Sequence, residues 1–253
     1  MKKIVCILMV LVLSAAFLSV SVSAETYDLS DTDMSISLDD TVWYVFTRDN
    51  IENNAELGEL GISYDAIHDI LYNSDIYMDA IVYYEDGTYL EFFVRKKAMD
   101  AGSINLTDRP DDQVLTMAKI RAQQYGAETY SVYKNQYKFA KLEYFDGNEQ
   151  YHVCEYVTIV NKTNYAFTFQ SKAAFTQWES AQMEEIIDSI QFDVDTAVEE
   201  KDEDGFWDYV LPRTIGGAVI GGAVGGVLEL RKIRKKKKAS QEETPLTDTT
   251  EAE

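Results

Sequence analysis

The hydrophobic positions of residues 34–192 repeat every two residues in some stretches and at helical spacing in others. MSISL at 34–38 and VWYVFT at 42–47 alternate as β-strands do, with two aspartates between them, and predict a hairpin or two short consecutive strands. The polar, glycine-containing residues 50–62 predict a loop with room for a short helix. SYDAIHDILYN at 63–73 predicts a short amphipathic helix, which its first serine can cap.

A glycine-containing turn between two β-rich runs gives the clearest local prediction. Asp86-Gly87 supplies the positive φ that a tight hairpin needs. Two further hairpins are predicted in the second half of this region, and strands joined in sequence by short turns pair antiparallel. The paired runs are 78–84 with 88–94, 138–145 with 151–160, and 151–160 with 165–171.

Two longer helices complete the pattern. Residues 111–125 follow Pro110 and precede Gly126, which are typical of a helix start and a helix end. Residues 177–190 follow Thr176, and the glutamate three positions after it completes a capping-box pattern. Together these elements predict an α+β fold, in which a mainly antiparallel sheet of about six or seven strands is packed with helices.

The first 24 residues, MKKIVCILMVLVLSAAFLSVSVSA, have the composition of a secretory signal peptide. Two lysines precede an apolar run, and Val22-Ser23-Ala24 offers a cleavage site of small residues. Residues 1–24 are therefore predicted to be removed, which leaves residues 25–193 as an exported α+β domain. Its one cysteine, Cys154, cannot form an internal disulfide, so the core must stabilise the domain by itself.

A glycine-rich apolar segment near the C-terminal end is predicted to cross the membrane. Thr214–Leu228 is a run of 15 uncharged residues, or about 22 Å of helix against a hydrocarbon core of about 30 Å. Extension in both directions supplies the missing length, with Trp207 and Tyr209 at the outer interface. The predicted transmembrane helix is 209–230, and the acidic residues 194–208 form a linker before it.

Charge is divided unevenly between the two sides of this helix. Residues 25–208 contain 38 acidic and 13 basic residues, a net charge of −25, whereas residues 229–253 contain 6 acidic and 7 basic residues, a net charge of +1. Basic residues directly after an apolar segment stay in the cytoplasm, so the domain is predicted outside and the tail 231–253, basic and then acidic, inside. The basic cluster is expected to contact the anionic inner leaflet. It consists of Arg231, Lys232, Arg234, Lys235, Lys236, Lys237 and Lys238.

Glycines at helical spacing give the predicted membrane helix a stripe of small residues. Gly217, Gly221 and Gly225 are four residues apart, and Gly222 and Gly226 repeat the spacing on an adjoining stripe. Small residues at this spacing let two helices approach closely. The hypothesis is self-association or docking against another membrane protein, and the alternative is a weakly hydrophobic span that only tolerates glycine.

LPRT at 211–214, followed by an apolar run and a basic tail, supports a second interpretation of the same segment. It resembles the signal that sortases cleave after the threonine to join a protein to the cell wall. Ile215 stands where that signal has glycine, and the tail continues 15 residues past Lys238. Attachment to the wall through LPRT therefore stays open as an alternative to the membrane anchor.

Two patterns resemble catalytic or metal sites but lack part of the chemistry. His152 and Cys154 share one face of a predicted strand, yet no third residue or oxyanion pattern accompanies them, so a core cysteine is the simpler interpretation. EEKDEDGFWDYVL resembles a calcium loop, but Glu200 takes its first position and Leu211 stands where a bidentate glutamate is needed. An acidic, solvated linker is the simpler interpretation. No catalytic residue, metal site or cofactor is predicted.

The order of these elements is similar to that of a known family. A strand pair, a short helix, a hairpin turning at Asp-Gly, a middle helix, a meander and a final helix resemble the PsbP/DcrB-like α/β sandwich of exported, membrane-attached bacterial proteins. VTIVNKTNYAFTFQS at 157–171 and MEEIIDSIQF at 183–192 carry the resemblance best, and it covers about 160 residues. It implies a binding, assembly or accessory role, because members of that family share no catalytic set.

The function predicted from the sequence is that of a single-pass cell-membrane protein with an extracellular accessory or binding domain and no enzymatic activity. The 17 tyrosines leave open a face that binds a sugar or a peptide. Nucleic acid is excluded as a partner, because so acidic a surface repels phosphate. The alternatives are a membrane-complex subunit that docks through its glycine-rich helix, an extracellular hydrolase, and a wall protein attached through LPRT.

Overall fold

The computed structural model describes residues 24–99 and 105–193. In these residues the chain forms ten β-strands and four α-helices. The strands are β1 (Ala24–Leu29), β2 (Met34–Asp39), β3 (Tyr44–Thr47), β4 (Ile76–Tyr83), β5 (Tyr89–Ala98), β6 (Thr129–Lys134), β7 (Lys138–Asp146), β8 (Tyr151–Val160), β9 (Thr163–Ser171) and β10 (Gln191–Phe192). The helices are α1 (Ala55–Leu60), α2 (Tyr64–Asn73), α3 (Asp111–Tyr125) and α4 (Gln177–Ser189), with 3-10 turns at Ile51–Asn53 and Leu106–Asp108.

Seven strands form one antiparallel sheet in the order β3-β4-β5-β9-β8-β7-β6. The predicted α+β class and the mainly antiparallel sheet are confirmed. The three predicted hairpins are β4–β5, β7–β8 and β8–β9. The polar stretch 50–62 contains a 3-10 turn and the short helix α1.

The strands β1, β2 and β10 form a separate three-stranded sheet. β2 and β3 are consecutive, but they do not pair with each other: β2 pairs with β1 and β10, and β3 pairs with β4. The backbone N–H groups of Val42 and Trp43 both donate to the Asp39 carbonyl at 3.0 Å, and this turn carries the chain from one sheet to the other. β1 and β10 come from opposite ends of the domain, so the small sheet depends on long-range pairing.

Both faces of the large sheet are covered. One face packs against the small sheet and α4 through a core that includes Trp43, Phe92 and Phe167. The other packs against α1, α2 and α3 through two further apolar clusters. Alternate residues of one strand therefore enter different cores, and the central strands are buried over most of their length. Each large apolar side chain buried in this way contributes about 1.5–3 kcal/mol to stability.

Helix ends and turns follow their local sequence signals. Thr176 and Glu179 form the predicted capping box at the start of α4. Gly126 ends α3 at φ +67°, and Gly87 turns the β4–β5 hairpin at φ +88°. Both angles lie in the left-handed region, which costs glycine little because it has no Cβ.

Several predicted segments lie outside the described residues. They are residues 1–23 of the signal peptide, the linker 194–208 with the calcium-like loop, the helix 209–230 with its glycines and LPRT, and the tail 231–253 with its basic cluster. Ala24, the last residue of the predicted signal, begins β1 and pairs with Asp39. Within residues 24–99 and 105–193, no helix is long and apolar enough to span a bilayer.

Candidate functional site

An open cleft lies beside the start of α4, at the ends of β6, β7 and β8. Its volume is about 370 Å³, which falls within the range of about 300–1,000 Å³ typical of ligand sites. The first two turns of α4 and the segment before them form one side, and the strand ends form the other. The lining includes Thr129, Lys141, Phe145, His152, Phe175 and Met183.

Three aromatic rings form one wall of this cleft. Phe145 and His152 pair across β7 and β8, and their ring centroids are 5.0 Å apart. The His152 ring is 6.5 Å from that of Phe175, which lies in the segment before α4. Phe145 is 50% exposed, and its partner His152 on β8 is partly exposed. Phe145 thus presents an exposed apolar ring on a concave, aromatic-lined surface.

The start of α4 is held in place by Glu179. Its carboxylate accepts hydrogen bonds from the backbone N–H of Thr176 at 2.6 Å, from the Thr176 hydroxyl at 2.8 Å and from the Tyr84 hydroxyl at 3.0 Å. Glu179 is buried, and these bonds compensate for its loss of water. Trp178, which is 48% exposed, packs edge-on against Tyr84 at 6.2 Å. Trp178 is therefore exposed on the first turn of α4, beside Tyr84 and outside the lining of the cleft.

Lys141 lies among acidic side chains at the cleft. Its ammonium is 3.2 Å from the Glu143 carboxylate and 3.7 Å from that of Glu184, and it lies over the Tyr156 ring at 5.3 Å. Burial alone would lower the pKa of Lys141, but the nearby Cys154 and the two carboxylates outweigh that effect and raise it. Lys141 therefore stays charged, while the exposed residues Glu128 and Glu143 make the rim acidic.

Cys154 is a core residue and not a nucleophile at the cleft. It is 1% exposed, and burial raises the pKa of its thiol to about 12. A thiol becomes reactive as the thiolate, which this environment disfavours. His152 shares its face of β8 but contacts the aromatic wall. Among the described residues, no three His, Cys, Asp or Glu side chains are grouped so that they could hold a metal ion.

The exposed tyrosines of the described residues do not form one binding face. Tyr64 and Tyr72 lie on α2, with the His68 ring between them at 5.5 and 4.4 Å, whereas Tyr130 lies on the edge strand β6. Tyr144 is the tyrosine that lines the cleft, and it is 8% exposed. The aromatic surface at the cleft is built mainly from phenylalanine and histidine.

A layer of charged side chains lies on the opposite face of the sheet, under the helices. Arg121 of α3 and Glu155 of β8 form an ion pair at 2.7 Å. Asp79 of β4 and Glu91 of β5 are each 1% exposed, and the side-chain amide of Gln170 donates to Glu91 at 2.8 Å. Burial, and then the charge of Glu91, raise the pKa of Asp79 well above its usual value. This layer has almost no accessible surface, so it belongs to the core.

Of the cleft residues, the sequence analysis considered His152, as a possible catalytic partner of Cys154, but it selected neither Phe145 nor, outside the cleft, the exposed Trp178. Phe145 directly precedes the turn that begins at Asp146, and Trp178 comes two residues after the cap Thr176. Aromatic residues beside a turn or a helix cap are less enclosed than those in the middle of a strand. Their position beside a turn and a cap is therefore the sequence signal that could have predicted their exposure. The cleft itself depends on strand ends and a helix start that are distant in sequence.

The chain is similar in structure to proteins of known structure, at low sequence identity. No protein-family profile matches the chain, and no curated protein matches it significantly. The solution structure of cyanobacterial PsbP (CyanoP) from Synechocystis sp. PCC 6803 matches with 13% identity and a TM-score of 0.38. The match covers 69% of this chain and 95% of that one. Membership of the PsbP/DcrB-like family stays a prediction.

Proposed function

We propose that the chain is a membrane-anchored, surface-exposed accessory protein that binds another protein through the cleft beside α4. The observation that carries this proposal is the exposure of Phe145 on the aromatic wall of a cleft of about 370 Å³. Aromatic side chains are enriched at protein interfaces, and a few such anchors supply most of the binding energy. Phe175, in the segment before α4, extends the aromatic wall.

The charges at the cleft favour a particular kind of partner. Glu128, Glu143 and Glu184 are exposed around it, and Lys141 is already engaged by the last two. The remaining negative charge favours a partner whose apolar side chain enters the cleft and whose neighbouring residues are lysine or arginine. The net charge of −25 over residues 25–208 would also attract such a partner from a distance.

The position of the cleft agrees with attachment through the C-terminal segment. Ser180 and Met183, on the first turns of α4, line the cleft, and β10 follows the other end of the helix. The 13 residues of α4 span about 20 Å. The cleft thus lies along the N-terminal half of α4, whereas Asp193, the last described residue before the predicted linker, follows its C-terminal end.

Site-specific photo-crosslinking of the full-length chain in its host cells tests the proposal. A photoreactive benzoylphenylalanine at position 145 should capture a protein that the same group at Tyr64, an equally exposed position on α2, does not. Capture should fall when Phe175→Ala is added, since that change removes another ring of the aromatic wall. Equal capture of the same protein from positions 145 and 64 would contradict the proposal.

The other functions inferred from the sequence rest on different observations. The acid with a strongly raised pKa, Asp79, is remote from the cleft on the opposite sheet face, so the cleft supports binding better than hydrolysis. The glycine spacing of residues 217–226 supports a membrane-complex subunit, which is compatible with a binding domain. Mass spectrometry of the C-terminal peptide separates the two modes of attachment: a mature chain ending at Thr214 would replace the membrane anchor with wall attachment.

A further inference from the structure

Asp79 and Glu91 are diagonal neighbours on the sheet face that α1 and α2 cover. In the β4–β5 register, Asp79 pairs with Phe93 and Ile81 pairs with Glu91, so the two carboxyl groups lie on the same face, one step apart. Each residue is 1% exposed. Two negative charges this close and this deeply buried repel each other and lack water to stabilise them.

Asp79 shares its sheet face with one buried cationic side chain of the neighbouring strand, Arg95, but is not bonded to it. Neither of its carboxyl oxygens has a hydrogen-bond or ion-pair partner among residues 24–99 and 105–193, and neither can be reached by water. Tyr83 of β4 is the phenol influenced by both Asp79 and Glu91, and Arg121 of α3 is bound to Glu155. The covering helices contribute apolar side chains. These apolar residues are Leu57, Ile67, Ile70 and Leu71.

We propose that Asp79 and Glu91 form a proton-binding pair, in which Asp79 is a neutral acid at neutral pH and donates its hydrogen to the Glu91 carboxylate. A proton is the cation that fits, because a metal ion or a water molecule would need space beside the Asp79 oxygens. Gln170 donates to Glu91 from the other side, so the Glu91 carboxylate accepts one hydrogen bond from each neighbouring strand. The raised pKa of Asp79, caused first by burial and then by Glu91, agrees with this assignment.

The pair makes the packing of α2 sensitive to alkaline pH. α2 packs directly on β4, and its buried residues Ile67, Ile70 and Leu71 belong to the same cluster as Ile81 and Phe93 beside the pair. Loss of the bound proton would leave two adjacent negative charges under this helix. α2 should therefore stay packed on the sheet in acid and at neutral pH, and it should be the first element to loosen when the pH rises.

Infrared spectroscopy of the purified full-length chain in detergent tests the proposal directly. A protonated carboxyl group has a C=O stretching band that an ionised one lacks. The wild-type chain should show such a band at neutral pH and lose it when the pH is raised. The band should be absent in Asp79→Asn and retained in Asp112→Asn, a control that changes an exposed aspartate on α3.

Two results would overturn the proposal. The first is the absence of a protonated-carboxyl band in the wild-type chain at neutral pH, a result that requires no variant. The second is its persistence in folded Asp79→Asn. If Asp79→Asn does not fold, Glu91→Gln serves instead: removal of the neighbouring charge should move the loss of the band to higher pH, and an unchanged or lower midpoint would exclude the pair.

Discussion

Arg121 and Glu155 form an ion pair of 2.7 Å between α3 and β8, with 0% and 2% of their side chains exposed. The guanidinium also lies 5.6 Å from the Tyr125 ring at the end of the same helix. α3 is therefore joined to the centre of the sheet by a charged contact as well as by its apolar face, which includes Val114, Met117 and Ala118.

Truncation of this pair should destabilise the domain strongly. Arg121→Ala leaves the Glu155 carboxylate buried without its partner, and such a loss costs about 3–5 kcal/mol. Urea unfolding followed by tryptophan fluorescence measures the change. Lys134→Ala, which removes an exposed ion pair with Asp111, is the control and should leave the free energy of unfolding almost unchanged. A loss below about 1 kcal/mol in Arg121→Ala would show that the pair is not needed for stability.

The contribution of Asp79 to the stability of the domain should fall as the pH rises above the ordinary pKa of aspartate, 3.8. Above that pH the folded state keeps the proton on Asp79, whereas the unfolded state releases it. The stabilisation that depends on this proton is therefore fully present at low pH and is lost as the pH rises through the folded pKa. The slope is about −1.4 kcal/mol per pH unit for one proton. Urea unfolding at several pH values should show this slope in the difference between wild type and Asp79→Asn. A difference independent of pH would show that Asp79 is ionised in the folded state.

Cys154 should resist thiol reagents in the folded protein. Its pKa of about 12 and its 1% exposure leave almost no accessible thiolate. In a Cys6→Ser chain, where Cys154 is the remaining cysteine, labelling with iodoacetamide at pH 8 should be slow until denaturant is added. Rapid labelling of the folded chain would place the thiol at the surface and reopen the nucleophile hypothesis for His152 and Cys154.

Local sequence signals predicted the parts of the fold that local interactions determine. Asp86-Gly87 gave the β4–β5 hairpin, since Gly87 adopts the positive φ and the Asp86 side chain accepts from Thr88. Thr176 and Glu179 gave the start of α4 through their reciprocal hydrogen bonds. In both cases the residues that determine the geometry are within three positions of each other.

The small sheet and the polar layer could not be predicted in this way. β10 has two residues, too few for any alternation, and it becomes a strand because β2 offers a free edge. Asp79 and Glu91 lie within apolar runs of the sequence. If one face of the sheet were exposed to water, alternation along the strand would predict that both side chains point to that face. They are buried because helices distant in sequence cover that face as well.

The glycine stripe of the predicted membrane helix should mediate association in the membrane. Gly221→Ile places a large side chain in the middle of the stripe and should abolish cross-linked dimers of the full-length chain, because the helices can no longer approach closely. Val224→Ile, which lies between the glycine pairs, is the matched control and should leave dimers intact. Unchanged dimers in Gly221→Ile would favour a span that only tolerates glycine.

The central claim is that the cleft beside α4 binds a protein, and the affinity of the captured partner for cleft variants tests it most directly. Phe145→Ser should weaken binding by about 30-fold, the effect of losing one anchor worth about 2 kcal/mol. Tyr64→Ser, an equally exposed change on α2, should leave the Kd within about twofold, as substitutions outside an interface do. Surface plasmon resonance with the full-length chain gives both values. Equal affinities for wild type, Phe145→Ser and Tyr64→Ser would contradict the claim.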